Sequence, residues 1–516
     1  MVGIKNHCAV LDCVAHIRIV RTDYAEASIK AFLPPRHRDA KKIKTSSSLC
    51  LCGEIRPVDL DNKRVLVVGL GKSGVASALF LKARGARVTV SDSKPQEQFG
   101  DEIPTLLDHG IAVETGAHGE RTFQGQDLIV VSPGVSVDAP PLVQARALGE
   151  TVIGEIELAA RFFPGPIIAI TGSNGKTTTT TLAGEIVGAG GHPTVVGGNI
   201  GTPAISLVEN ATPKTVAVLE VSSFQLETIQ TFRPKIAVIL NVTPDHLDRH
   251  RTFAAYTDAK ARIFENQQGD DFAVLNTDDP TCEGYASRIR AQVFWFSRTK
   301  EVTQGAYASD GRILFRDSNG QREIMLISEI PLKGAHNVEN VLAAVCVGSL
   351  MGRSTGVIRQ TIRNFKAVEH RLEYVATIHG VEYYNDSKAT NVDATIKAIE
   401  SFPANIHLIL GGKDKGSDYS VLNDLLRARV KTVYTIGAAA AKIESEIHGA
   451  TKIVHAETLE TAIRRAAIEA QSGDIVLLAP ACASFDQFKN YEQRGRVFKE
   501  VVKELSTAAT VPEPRK

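Results

Sequence analysis

The sequence is short of several things. It has one tryptophan, three methionines and seven cysteines in 516 residues, and no two cysteines are spaced as a CxxC pair. An odd cysteine count without such pairs excludes a disulfide-stapled scaffold and a zinc ribbon, and a reducing cytoplasm is the simplest setting. A net charge of one sign is missing too, with 59 Lys+Arg against 58 Asp+Glu. That balance argues against a nucleic-acid partner held by bulk positive charge. No run reads as a membrane span: Ile186–Val208 is free of Asp, Glu, Lys and Arg, but its six glycines and two prolines make it loop material. What is present is ordinary for a folded globular chain, 43% hydrophobic and 23% charged, with length for about three domains.

The first 58 residues stand apart. They hold Cys8, Cys13, Cys50 and Cys52 and ten Lys/Arg against five Asp/Glu. Asp12, Arg18, Arg21 and Asp23 interrupt any apolar core of signal-peptide type. The next methionine after Met1 is Met325, so an internal Met start does not account for the segment, whereas a different initiation codon near Val58 would. Residues 1–58 read as an extension, either disordered or the product of a mis-set start.

From Lys63 onward, short Val/Ile-rich runs alternate with longer amphipathic stretches. Val65–Val68, Val88–Val90, Leu128–Val131, Ile167–Ile170, Val216–Leu219, Ile236–Leu240, Ile406–Leu410, Val433–Ile436 and Ile475–Leu478 are too short for helices. They suit strands buried on both faces of parallel sheets. The fold class is α/β, in several doubly wound units. Composition breaks at Phe162–Pro166 and Lys366–His370 predict domains at 59–154, 155–367 and 368–516, with a helix over Ile156–Phe162.

The most informative string runs from Ile167 through Thr171-Gly172-Ser173-Asn174-Gly175-Lys176-Thr177-Thr178. A buried strand feeds a glycine-containing loop and then a helix, so backbone N–H groups and the helix N-terminus can close around phosphate oxygens. Lys176 supplies a point charge for the β- and γ-phosphates, and the Thr177 hydroxyl can sit on Mg²⁺. Ile170 stands where the general pattern has its first glycine, so this is a variant phosphate loop. The plainer alternative is an ordinary strand-to-helix turn with a surface lysine.

A magnesium site needs carboxylates, and ligands of open α/β sheets gather at the carboxyl ends of strands. Glu220 ends one run, and Asp245-His246 follow another after Pro244; the latter pair is equally consistent with a simple turn. Lys260 lies on the apolar face of a predicted Thr252–Asn266 helix, with Phe253, Tyr256, Ile263 and Phe264. It is either a snorkelling lysine whose ammonium reaches water or a buried amine whose lowered pKa lets it take up CO₂ as a carbamate. Nearer the start, Gly69-Leu70-Gly71-Lys72-Ser73-Gly74 follows a strand, and Asp92 ends the next one. That is the dinucleotide fingerprint, open to NAD(P) or to another phosphate-bearing ligand on the same turn.

These residues resemble the Mur ligase family of peptidoglycan synthesis, from about residue 59 to the C-terminal region. The strings that carry the likeness are Gly172–Thr178, Gly197–Gly201, Leu219–Glu227, His370-Arg371, Asn385–Asn391 and Pro480–Lys489. The last of these resembles the branch that adds D-glutamate to UDP-N-acetylmuramoyl-L-alanine. The resemblance implies a UDP-binding Rossmann-like first domain, a central ATPase-like domain with a parallel sheet, and a Rossmann-like C-terminal domain. It implies that Lys72, Ser73, Asp92, Ser93, Lys94, Gly134 and Asn199 bind the UDP-substrate. Gly172 through Thr178, Asn340, Arg371 and Asp386 would bind ATP, and Thr390, Lys415, Ser484 and Tyr491 D-glutamate. Thr177, Glu220, His246 and an N-carboxylated Lys260 would hold two Mg²⁺, with Lys176, His246, Lys260 and Lys388 catalytic. It implies a cytoplasmic monomer acting on small molecules, with no nucleic acid and no membrane span. Cys482 lacks a local activating histidine and reads as packing rather than as a nucleophile. An NAD-dependent dehydrogenase would leave the Lys176 loop unused, and a non-catalytic nucleotide-binding protein would leave the lysine set unused.

Overall fold

The computed structural model describes residues 59–366 and 368–509; the extension expected over 1–58 lies outside the described residues. Among the described residues twenty strands form three sheets, each with its own layer of helices. The first contains β1 (Arg64–Val68), β2 (Arg87–Asp92), β3 (Ala112–Thr115), β4 (Leu128–Val131) and β5 (Val152–Gly154). All are parallel in the order β3-β2-β1-β4-β5. The chain reverses direction across the sheet between β1 and β4, so the crevice at their carboxyl ends is the expected ligand position.

The second sheet has nine strands: β6 (Ile167–Thr171), β7 (Thr194–Gly198), β8 (Val216–Glu220), β9 (Ile236–Ile239), β10 (Phe272–Asn276), β11 (Gln292–Ser297), β12 (Gly305–Ser309), β13 (Arg312–Asp317) and β14 (Gly320–Leu326). Their order is β14-β13-β12-β11-β10-β9-β6-β8-β7. From β7 to β12 the pairing is parallel, and β12, β13 and β14 close it as an antiparallel meander. Strands β6, β8 and β9 are buried along their whole length, as their uninterrupted Val/Ile content requires. The third sheet orders β15 (Glu373–Ile378), β16 (Val381–Asn385), β17 (Ile406–Gly411), β18 (Val430–Ile436), β19 (Lys452–Glu457) and β20 (Ile475–Leu478) as β15-β16-β20-β17-β18-β19. Only its β15–β16 edge is antiparallel.

The helix expected over Ile156–Phe162 runs Glu155–Phe162 and joins the first two sheets. Its Ile156, Leu158 and Ala159 belong to one apolar core that continues from Val65 and Leu81 of the first unit to Ile167 and Leu219 of the second. Glu157 is fully buried there; burial alone would raise its pKa, but Gln230 N–H, the Thr231 hydroxyl and Arg161 together hold it below the usual carboxylate value. The two faces of the third sheet pack separate cores of their own. Among the described residues no helix is long and apolar enough to cross a membrane.

The helix over Thr252–Asn266 is shorter than expected. It spans Phe253–Ala261 and tightens to a 3₁₀ turn at Arg262–Phe264. Phe253 is exposed, not part of the apolar face, because it occupies the first turn, just after the Thr252 side chain caps the Ala255 N–H.

In the first unit the fingerprint glycines have a steric reason. A Cβ on Gly74 would sit 1.8 Å from the Gly69 carbonyl oxygen, so the helix Lys72–Ala83 can press against the turn only with glycine there. Gly74→Ala is therefore expected to cost about 1–3 kcal/mol through forced backbone movement, read as a lowered thermal midpoint. An unchanged midpoint would mean that the turn relaxes freely.

Candidate functional site

Strand β6 delivers the loop Gly172–Gly175, and the helix Lys176–Ala189 starts directly after it. Gly175 has φ +84°, and a Cβ on it would fall 2.2 Å from Asn340 Oδ1, so both backbone and space demand glycine. The loop is held from below by the end of β9. Ser173 N–H donates to Asn241 O at 2.9 Å, and Asn174 N–H donates to Asn241 Oδ1 at 2.8 Å. The Ser173 hydroxyl donates to Thr243 O at 2.9 Å and lies 3.0 Å from the Tyr256 hydroxyl. Lys176 Nζ curls back to donate to the carbonyls of Gly172 and Ser173 at 2.9 and 2.8 Å.

Glu220, at the end of β8, is 2% exposed and accepts from the Thr177 hydroxyl at 2.8 Å and from Asn199 Nδ2 at 2.9 Å. Lys388, from the third unit, donates to the same Thr177 hydroxyl. Burial lowers Lys388 to about 8, partly opposed by Glu220. Burial also lowers Lys176, against the pull of Glu220 and Asp245. For Asp245, burial works upward, but His246, Lys415 and Lys176 prevail and its carboxyl lies below the ordinary value. His246 is depressed chiefly by burial, with Asp245 opposing; its ring stands edge-on to Phe224 at 4.9 Å.

Lys260 does not snorkel. It is 2% exposed, and Nζ donates to the Gly172 carbonyl at 2.8 Å, 4.6 Å from the Tyr256 ring centroid. Burial, reinforced by Lys176, pushes its pKa well down, which favours the uncharged, nucleophilic amine relative to a surface lysine.

Two clefts flank this centre. The first, narrow, is lined by Asn174, Gly175, Thr178, Asn340, Arg371 and Asp386, together with His336, Glu339 and Lys397. Asn340 Nδ2 donates to Asn337 Oδ1 at 3.0 Å, and its Oδ1 accepts from the Thr179 hydroxyl at 3.2 Å. Burial holds His336 down at about 3 and lifts Asp386 to about 6. The second cleft, about 640 Å³, brings together Lys72, Ser73, Asp92, Ser93, Lys94, Gly134 and Asn199, all seven residues expected there. Asp92 spends both oxygens on backbone, accepting from the N–H groups of Leu70 and Lys94 at 2.7 and 2.9 Å. His118, which nothing in the sequence marks, also lines this cleft and bonds Ser91 Oγ through Nδ1 at 2.9 Å. A lone loop histidine carries no pattern that would have marked it.

In the third unit, Thr390 N–H donates to Lys388 O at 2.8 Å, and Lys413 N–H donates to Ala483 O at 2.8 Å beside the buried Ser484. Tyr491 O accepts from the Ser387 hydroxyl at 2.8 Å. Arg494, fully buried and also unmarked by any sequence signal, ties these strings by donating to Ser387 O and to Cys482 O. Lys415 is exposed and joins no hydrogen bond among the described residues; its influence reaches Asp245 and His246 through space. Cys482 is buried against the Tyr419 hydroxyl and pushed by burial to about 11, an inert thiol.

The donor set fits a polyanion. Lys176, Lys388 and Arg371 converge, while among the described residues Thr178 Oγ1 and Arg371 Nε are buried without hydrogen-bond partners. Thr177 with Glu220 suits one hydrated Mg²⁺ shared with phosphate oxygens. Among the described residues no group of three or more His, Cys, Asp or Glu is positioned to hold an ion unaided. A free Lys260 amine does not suit a cation, whereas its carbamate does.

Fold and site together define a three-unit α/β protein with a loop of phosphate-loop type that its C-terminal unit meets through Lys388. The Mur ligase MurD-like N-terminal domain matches residues 63–154, the Mur ligase middle domain 170–348 and the Mur ligase glutamate ligase domain 370–482. The chain belongs to the Mur ligase family. It is 65% identical to the UDP-N-acetylmuramoylalanine--D-glutamate ligase of Koribacter versatilis, over 87% of this chain and 99% of that protein. It is 59% identical to the ligase of the same name from Acidobacterium capsulatum, over 86% of this chain and 97% of that one. Among solved structures, UDP-N-acetylmuramate-alanine ligase MurC from Thermotoga maritima superposes with a TM-score of 0.54 at 19% identity, covering 86% of this chain and all of that one. A pseudomurein peptide ligase type C from Methanothermus fervidus gives 0.55 at 18% over the same shares. These two show the same fold.

Asp386 supplies a test of the electrostatics. Its folded pKa, raised by burial, exceeds the unfolded value of about 3.9. The proton it holds therefore stabilises the fold below about pH 4, and that contribution is lost as pH rises through about 6. Asp386→Asn should thus stabilise the protein at neutral pH by up to about 3 kcal/mol, with the gain fading toward pH 4 in denaturant titrations. A gain independent of pH would contradict the assignment.

Proposed function

We propose that this protein is an ATP-dependent ligase that joins D-glutamate to the L-alanyl carboxylate of UDP-N-acetylmuramoyl-L-alanine, a step of peptidoglycan precursor synthesis. One observation carries the reading from the geometry. Asn199 lines the 640 Å³ cleft and bonds Glu220, which bonds Thr177 of the phosphate loop. A substrate in that cleft and a triphosphate on that loop therefore meet across a single carboxylate. The likeness to the two ligases over nearly their whole length supports the choice of substrates.

A carboxylate is a poor electrophile, and ATP supplies the remedy by phosphorylating it to an acyl phosphate, releasing ADP; the D-glutamate amine then attacks the acyl carbon and inorganic phosphate leaves. In this reading residues 59–154 hold the UDP end, with Lys72, Ser73, Asp92, Ser93, Lys94 and Gly134 around the nucleotide and Asn199 facing the acceptor end. Residues 155–367 hold ATP on Gly172–Thr178 and Asn340. Residues 368–516 supply Arg371, Asp386 and Lys388 to the nucleotide, and Thr390, Lys415, Ser484 and the backbone at Tyr491 to the carboxylates of D-glutamate. Lys176, Lys388 and His246 lower the cost of charge gathering on the transferring phosphoryl group, a matter of position and electrostatics. Thr177 and Glu220 would hold one Mg²⁺, and His246 with N-carboxylated Lys260 a second. Mg²⁺ would neutralise phosphate oxygens. Closing the third unit over the loop keeps water from the activated acid. One chain carries every proposed binding residue, so a monomer suffices, and a nucleotide-linked precursor with ATP suits the cytoplasm.

The deciding experiment is ATP-dependent phosphate release with UDP-N-acetylmuramoyl-L-alanine and a panel of amino acids. Release is expected with D-glutamate, and none with it would end the proposal. Lys176→Ala should reduce turnover by at least about a hundredfold, and retained turnover would refute its phosphate role. Lys260→Ala should be inactive and partly restored by short carboxylates such as formate. Full activity without additive would return Lys260 to a packing role.

A further inference from the structure

We propose that Arg249 is a positioning residue for the sugar-nucleotide, fixing the wall of its cleft relative to the phosphoryl-transfer centre. The inference rests on the reading of that cleft as the UDP-substrate site.

Arg249 belongs to the short helix Leu247–His250, entered through His246 in left-handed backbone at φ 52°. Its guanidinium forks across the turn that follows β4 in the first unit. Nη1 donates to Pro133 O and Nη2 to Val135 O, each at 3.0 Å. Between these two carbonyls lies Gly134, which lines the cleft and has nothing within 4 Å of where a Cβ would project. The same turn is tied to the fingerprint loop, since the Ser132 hydroxyl donates to Gly69 O at 3.1 Å.

The other side of the guanidinium faces the central unit. Nη2 also donates to Glu227 Oε2 at 2.8 Å, and the carbon lies 4.2 Å from the Phe224 ring centroid. Phe224 in turn stands against His246, and both Phe224 and Glu227 follow directly from the strand that ends in Glu220. The side chain is 18% exposed. One planar group therefore spans two units: the cleft wall on one edge, and the Glu220 and His246 segments on its other edge and face.

Only arginine does this. Its donors lie in a rigid plane that meets two carbonyls and a carboxylate at once, whereas an ammonium is a point donor on a flexible stem. Lysine at 249 would keep the ion pair with Glu227 or one carbonyl, and would release the turn.

The test uses the full chain and its Arg249→Lys and Arg249→Ala variants. Dissociation constants for UDP-N-acetylmuramoyl-L-alanine and for ATP are measured separately by calorimetry, and KM for all three substrates by phosphate release. Both variants are expected to bind the UDP-substrate roughly tenfold or more weakly, from the loss of charge-assisted hydrogen bonds. Its KM should rise in step, while the ATP dissociation constant and the D-glutamate KM move by less than about twofold. Comparable losses for all three ligands would make Arg249 a general structural residue and overturn the proposal. So would wild-type affinity in the lysine variant. Failure of the unaltered protein to bind the UDP-substrate would instead remove the functional reading, and this inference with it.

Discussion

The carboxylate of Glu220 is the point on which the rest of the molecule turns. It is buried at the end of a strand, and only hydrogen-bond donors around it make such burial tolerable. Those donors come from two directions, the hydroxyl that opens the phosphate-loop helix and the amide that borders the large cleft. Lys388 reaches the same hydroxyl from the third sheet. One desolvated charge thus sets the distance between two ligand sites and gives a distant unit something to close upon. Removing it would take the acceptor from both the Thr177 hydroxyl and the Asn199 amide, a larger penalty than the loss of either bond alone.

Charge is concentrated here deliberately. Lys176, Lys260, Lys388 and Arg371 share a buried region with Glu220, Asp245 and Asp386, and burial first, then their mutual repulsion, makes the amines easier to deprotonate. Such an arrangement is costly in the absence of ligand and is repaid when phosphate arrives. Lys260 is the extreme case: its ammonium-bearing end donates to a loop carbonyl, and among the described residues it forms no ion pair.

Much of this was legible in the sequence. The buried strands announced themselves because parallel sheets covered on both faces need unbroken Val/Ile runs. The two glycine turns did so because close backbone approach permits no Cβ. The cleft residues came instead from the family resemblance, since Gly134 and Asn199 sit on loops outside those turns. What was hidden depends on partners far along the chain. The choice between a snorkelling and a buried Lys260 is made by Gly172, 88 residues away, and the fork of Arg249 by carbonyls 116 and 114 positions distant. Arg494 looks like one more charged residue in the amphipathic helix Tyr491–Ala509 until strings near 387 and 482 are folded against it. The β12–β14 meander was equally silent, since its alternation fits any half-exposed strand.

The seams between the units differ in kind. The first two sheets are fused by continuous hydrocarbon, whereas the third meets the phosphate loop through Asp393 with Thr243 and Asn174, Asn391 with Asp245, and Lys388 with Thr177. Polar contacts of that sort exchange for water at little net cost, and such interfaces permit relative movement. The first two units then share one core, and any movement of the third against them would break hydrogen bonds rather than expose hydrocarbon. A greasy seam in its place would have trapped the finished peptide inside.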